Sequence, residues 1–243
     1  MGLHLCYELG LDPATLESTV IARVAALREQ ALALPFEAVS DVVRLTEDDL
    51  AKRRPLRGLA FMQLEDVVQH SAVSTRNELY CGQLGNSEDD CYTRAVEVPA
   101  SVRTLAIGFA VAPGRRCEPA AFGLTSIRYA EDAQSRWWWH QYCKTQYASV
   151  VSDEHLLRCH GSLVVMLDGA ESVGFEVVVR DETGYWESRE PRQLFDAVAR
   201  MNQLVARFAG TFTDAVRDAG ADSRQVRGEI FEHPDFERLE MPE

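Results

Sequence analysis

Lysine is almost missing from this chain: of 25 cationic side chains only Lys52 and Lys144 are lysine, and the rest are arginine. Cations of either kind are outnumbered by 38 acidic residues, leaving a net charge of −13. That balance argues against sequence-independent nucleic-acid binding, which needs a cationic surface. The one compact basic cluster, Lys52-Arg53-Arg54 with Arg57, follows Glu47, Asp48 and Asp49 and reads as local ion pairing. No apolar run approaches the roughly 18 residues of a membrane span. The stretch from Met1 to Glu8 has no basic segment followed by an apolar one, and Cys6 stands where a myristoylation signal wants Ser or Thr. The expectation is a soluble cytoplasmic protein with no membrane partner. Paired-cysteine motifs are absent too. Cys6, Cys81, Cys91, Cys117, Cys143 and Cys159 are scattered without a CxxC, so they read as free thiols in a reducing compartment. There is no phosphate-binding glycine loop, dinucleotide fingerprint, GxSxG or HExxH, and no cofactor is expected.

What is present suits a folded domain: 243 residues, 46% of them hydrophobic and 26% charged. Arginine in place of lysine, with abundant alanine, points to a GC-rich bacterial coding sequence. Leu3, Leu5, Tyr7 and Leu9 alternate as a strand over 2–10. Asp12-Pro13 offers an N-cap and a first-turn proline, and Leu16, Val20, Val24, Leu27, Ala31 and Leu34 predict an amphipathic helix ending near Pro35. Val39–Leu45 returns as a strand. Between 46 and 102 the signal weakens. A short helix over 47–53 and an element near 59–68 are expected, then a polar excursion over 71–94 with turns at Asn77, Gly82, Gly85 and Asn86.

Strands follow over 103–111 and 121–129, then an aromatic strand over 135–149. Ser152 caps a helix whose stripe is Leu156, His160, Leu163, Val164 and Leu167. A strand over 175–179 is expected to form a hairpin with Tyr185-Trp186-Glu187 across Asp181–Gly184. A long helix from Pro191 to about Ala219 carries Leu194, Val198, Met201, Val205, Phe208, Phe212 and Val216. Packing against the chain's own sheet is its favoured use, an intermolecular seam the other. The tail over 226–243 offers one short strand.

The class is α+β, a mixed or antiparallel sheet packed by amphipathic helices, in one domain of residues 1–243. A finer reading divides it into lobes 1–102 and 103–243, two ferredoxin-like β-α-β units from a duplication. Cys6, a helix and 39–45 would then match Cys143, a helix and 175–179. The bland alternative is that β-α-β is simply common.

Chemistry concentrates in the aromatic strand. Read with period two, Trp138, His140, Tyr142, Lys144 and Gln146 share one face, and Trp137, Trp139, Gln141 and Cys143 the other. His140 could serve as general base, Lys144 as electrostatic stabiliser, and Tyr142 and Trp138 as the wall over which a small ligand lies. A solvated face over a tryptophan core competes with that reading. Cys143 falls on the face opposite His140, which argues against a thiol–imidazole pair. Glu118, on a loop after Arg115 and Arg116, is a further ligand-binding candidate, with a surface ion pair as alternative. His155 and Cys159 stand four apart on a helix and offer two ligands to a metal; further ligands would have to come from elsewhere, for instance Cys143 or His140 on the preceding strand, and no metal is expected. His160, on the apolar stripe, reads as a core histidine. Two functions follow. One is an acidic binding or interaction protein holding a protein partner or small molecule on the aromatic-polar face. The other is an enzyme using His140 and Lys144 on a small substrate. Oligomeric state stays open.

Overall fold

The computed structural model describes residues 3–46, 74–81, 91–98, 101–129 and 135–218. Alternation frames the sheet. Along β1 (Leu5–Leu11) Leu5, Tyr7, Leu9 and Leu11 are buried while Cys6, Glu8 and Gly10 turn to the other face. In β8 (Ser135–Cys143) Trp137, Trp139, Gln141 and Cys143 are buried in the same way. The two strands pair antiparallel, matching Cys6 with Tyr142, Glu8 with His140 and Gly10 with Trp138. β9 (Glu176–Asp181) flanks β1 on its other side, matching Cys6 with Arg180 and Glu8 with Val178. Beyond β8 come β7 (Ala120–Tyr129), then β6 (Ser101–Ala112), and both β2 (Ala38–Val39) and β3 (Val43–Thr46) pair with β6. The result is one seven-stranded antiparallel sheet. With its helices it makes an α+β fold.

Helices α1 (Glu17–Leu32) and α2 (Asp153–Ser172) cover one face. Val20, Val24, Leu27 and Ala31 of α1 join Leu163, Val164, Met166, Leu167 and Ala170 of α2 in a single core with the inward strand residues. Buried rings keep their polar atoms paired. Tyr7 lies parallel to Phe122 at 5.1 Å, and both the Tyr7 hydroxyl and Trp139 Nε1 donate to the Ala121 carbonyl. Trp137 Nε1 donates to Thr15 O at 2.9 Å. Glycine is required where β6 and β7 cross most closely: a Cβ on Gly123 would stand 2.6 Å from Gly108 Cα.

β8 and β9 are each antiparallel to β1, so they run parallel to each other with β1 between them. The β8-α2-β9 connection is a split β-α-β unit. The β1-α1-β2 connection steps over β8, β7 and β6 instead. Strands from both sides of residue 102 share the sheet, with β1 inserted between β8 and β9, and residue 102 itself lies within β6.

Several local expectations are corrected. Asp12 does not cap α1. Its carboxylate accepts from Ala14 N and its carbonyl from Thr15 N, closing a turn around Pro13, and the helix starts after Leu16. Part of the 71–94 excursion is paired: β4 (Ser74–Cys81) and β5 (Cys91–Val98) form a separate two-stranded antiparallel sheet, and Asn77 lies inside β4 rather than at a turn. The aromatic strand ends at Cys143, and Gln146–Val150 is a 3-10 helix. Tyr185–Ser188 is a short helix, α3, not a hairpin strand. Gly184 turns the chain with φ at +73°, and Thr183 Oγ1 and the Asp181 carboxylate accept from Tyr185 N and Trp186 N.

The last helix, α4 (Pro191–Asp218), packs on helices rather than on the sheet. Leu194 and Val198 join Ala148, Leu156 and Cys159 in a second core. From Asn202 onward the buried positions are Asn202, Ala206, Ala209 and Gly210, and Phe208 and Phe212 of the expected stripe are exposed. The elements expected over 47–53 and 59–68, the strand in the tail and the basic cluster at 52–57 lie outside the described residues. No described helix is long and apolar enough to cross a membrane.

Candidate functional site

The side chains that point away from the helices on β8, β1 and β9 form four rows. Glu182, His4 and Lys144 make one, Arg180, Cys6 and Tyr142 the next, then Val178, Glu8 and His140, and last Glu176, Gly10 and Trp138. His140 and Tyr142 are exposed, and Trp138 and Lys144 are half-buried. Trp138 Nε1 donates to Glu8 Oε2 at 3.1 Å, and the His140 ring lies parallel to the indole, 5.9 Å away and tilted by 7°. Tyr142 sits between two cationic or protonatable neighbours. Lys144 Nζ is 5.8 Å from its ring centre, and His4 meets it edge-on at 5.4 Å. Each neighbour has its own carboxylate: Glu118 Oε1 lies 3.6 Å from Lys144 Nζ, and Glu182 Oε2 lies 3.0 Å from His4 Nδ1. Burial works against the Glu182 carboxylate, but hydrogen bonds from the His4 ring and backbone N–H outweigh it and hold its pKa below the usual value.

Trp138, His140, Tyr142 and Lys144 therefore share a face. The Cα atoms of His140 and Lys144, four residues apart along extended chain, are separated by roughly 13 Å. Gln146 does not join them. It is buried within the 3-10 helix, where its side-chain oxygen accepts from Leu3 N and its nitrogen donates to Asn202 Oδ1. Glu118 does reach the face, through Lys144 and the backbone bonds between residues 118 and 144. The histidine beside Tyr142 is His4, which precedes β1 and carries no local signal; Glu8 and Glu182 come from strands distant in sequence.

A second histidine cluster is sealed inside. His160 Nε2 donates to Asp181 Oδ2 at 3.0 Å, and the Thr145 hydroxyl lies 2.8 Å from His160 Nδ1. Asp181 also accepts from Thr183 N, the Thr183 hydroxyl and Trp186 N. For its pKa the largest influence is burial, which raises it. The bonds from His160 and Thr183 prevail and leave it low. Hydroxyl, imidazole and carboxylate in line resemble a catalytic relay, but His160 is 1% exposed and Thr145 3%. Both are closed off from solvent, and the array ties the segment after β8 to α2 and β9.

The third cluster gathers thiols beneath the β6–β7 loop. Cys159 Sγ lies 3.6 Å from His155 Nε2 and 3.3 Å from Pro113 O. His155 Nε2 donates to Arg115 O, and its Nδ1 accepts from Arg158 Nη2. Cys117 packs against the same apolar cluster as Cys159, and Cys143 Sγ contacts Glu118 O at 3.0 Å. His155 and Cys159 are thus adjacent, yet among the described residues no group of three or more His, Cys, Asp and Glu is placed to hold a metal ion.

No family model, curated protein or solved structure matches the chain.

Proposed function

We propose that the protein is a binding module whose open β8-β1-β9 face takes an extended basic segment of a partner protein. The observation that carries this reading is the interleaving of rings and carboxylates on one exposed face: Trp138 bonded to Glu8, and Tyr142 between the Glu118 and Glu182 pairs. Rings beside carboxylates suit guanidinium and ammonium groups, which gain from a ring face and an anion at once. Counting Glu8, Glu118, Glu176 and Glu182 against Lys144 and Arg180, the face carries more negative than positive groups, in keeping with the chain's net −13. Such complementarity speeds encounter with a basic partner.

Magnitude selects a segment over a lone small cation. One exposed cation–π contact contributes about 0.5–1 kcal/mol, whereas micromolar affinity needs about 8 kcal/mol. Several rows must be engaged together, as a strand-like segment laid across them would do. The enzymatic alternative is less well supported. Lys144 already lies against Glu118 and Tyr142, and the His140 ring is stacked beside Trp138, so neither is held ready for a reacting atom.

The test is titration of the protein with an arginine-rich peptide of alternating polar and apolar residues, followed by calorimetry at two salt concentrations. Saturable binding that is lost in Trp138→Ala and in Glu8→Gln, and kept in Glu154→Gln in the first turn of α2, is expected. Absence of binding, or equal loss in all three variants, rejects the face as the site.

A further inference from the structure

We propose that the outer edge of β9 is a self-association surface, on which a second copy of this chain pairs its own β9 antiparallel about a two-fold axis at Val178. The two ends of the sheet finish differently. At one end β6 carries the short strands β2 and β3, and the chain breaks between them where Ser40 exchanges hydrogen bonds with the Ala110 backbone. At the other end stands β9, and among the described residues no strand lies beyond it. Its register with β1 runs unbroken from Glu176 to Asp181, without a bulge or a proline to blunt the edge. Val178 is 63% exposed there.

One bond shows which backbone groups face outward. Glu182 N donates to His4 O, the residue opposite it in the β1 register, so the even-numbered residues of β9 bond to β1. The N–H and C=O groups of Val177 and Val179 then point away from β1, to the open edge. Past them the edge closes, because the Asp181 carbonyl accepts from Gly184 N in the following turn. The open stretch is therefore short and centred on Val178.

The side chains are self-complementary about that axis. Pairing at Val178 sets Glu176 opposite Arg180 of the second copy, and Arg180 opposite its Glu176. Both residues are exposed on the face away from the helices, and neither has an ion-pair partner among the described residues. Val177 exchanges both backbone bonds with Val179 of the second copy, and Val179 with its Val177. Glu176, Val178 and Arg180 then occupy the non-hydrogen-bonded positions, where facing Cα atoms stand only about 4.5 Å apart. Opposite charges at that range favour pairing, and like charges oppose it. Other registers lose the match. An axis at Val179 would set Glu176 opposite Glu182, and one at Val177 would set Arg180 opposite Gly174. On the helix side Val177 and Val179, half-buried against the main core, carry the apolar layer across the junction. This pairing does not rest on the peptide-binding reading of the β8-β1-β9 face.

The test is sedimentation equilibrium of the full chain over a concentration series, with circular dichroism to check folding. A monomer–dimer equilibrium is expected. Arg180→Glu, which sets like charges opposite each other at both ends, should weaken it by about tenfold. Adding Glu176→Arg to that variant reverses both charges and should restore the dimer. Val179→Pro removes an outward N–H without costing β1 a bond, and should leave a folded monomer. The proposal is overturned if the wild-type chain stays monomeric at every concentration, a result independent of any variant's folding. Slow exchange of the Val177 and Val179 amides in such a monomer would give the edge to another segment of the chain instead. It is also overturned if a dimer forms that neither Arg180→Glu nor Val179→Pro weakens, which would move the interface elsewhere, for instance to the exposed Phe208 and Phe212 of α4.

Discussion

β9 ends by offering two consecutive carboxylates to two histidines on opposite sides of the sheet. Asp181 meets His160 and Glu182 meets His4, each at 3.0 Å. The first pair has side chains 1% and 0% exposed, the second 30% and 41%. Equal distance does not mean equal energy. Inside, the Asp181 carboxylate has lost its water and depends on its neighbours. Outside, water can replace either partner. The inner pair therefore fixes structure, and the outer pair is available for exchange with a ligand.

The largest effect should come from breaking the inner pair. Asp181→Ala leaves His160, Thr183 and Trp186 N without their acceptor and should cost about 3–5 kcal/mol, read from urea unfolding. Gln146→Ala comes next, since it strands Leu3 N and Asn202; about 1–3 kcal/mol is expected in the same assay. Glu182→Gln, which disturbs the outer pair, should change stability by no more than about 1 kcal/mol. Trp138→Ala should fall in a similar range while removing peptide binding, so a large loss of stability there would erase the contrast between the two faces.

Acid sharpens the comparison. Both carboxylates have folded pKa values below their ordinary values of 3.8 and 4.5. A depressed carboxylate contributes stability that is full above its unfolded pKa and is lost as pH falls through the lower folded one. The melting temperature should thus decline below about pH 4.5. Asp181→Asn should flatten most of that decline and Glu182→Gln little of it, as thermal melts across pH would read.

The parity of the aromatic strand was legible from sequence because period two needs only local chain geometry. Trp138, His140 and Tyr142 could be placed together, and Cys143 opposite, before any partner strand was known. His4, Glu8 and Glu182 could not be read this way, since β1-β8 and β1-β9 pairing brings them in from distant segments. Gln146 was misread because a polar strand residue and a buried polar link look alike until Leu3 and Asn202 appear beside it. In α4 size misled: Phe208 and Phe212 mark the apolar stripe, yet Ala206 and Ala209 are the positions close packing accepts. The Cys117–Cys159 neighbourhood arises from a loop folding over a helix, which no spacing rule reports.

The place of β1 between β8 and β9 has a consequence for synthesis. Residues 5–11 leave the ribosome first among these strands, yet their partners are 135–143 and 176–181. At about 5–20 residues per second, the strand waits on the order of ten seconds or more for its neighbours. During that interval Leu5, Tyr7, Leu9 and Leu11 have no sheet to enter, and a nascent chain stalled before residue 135 should be a ready client for a chaperone that grips short apolar segments.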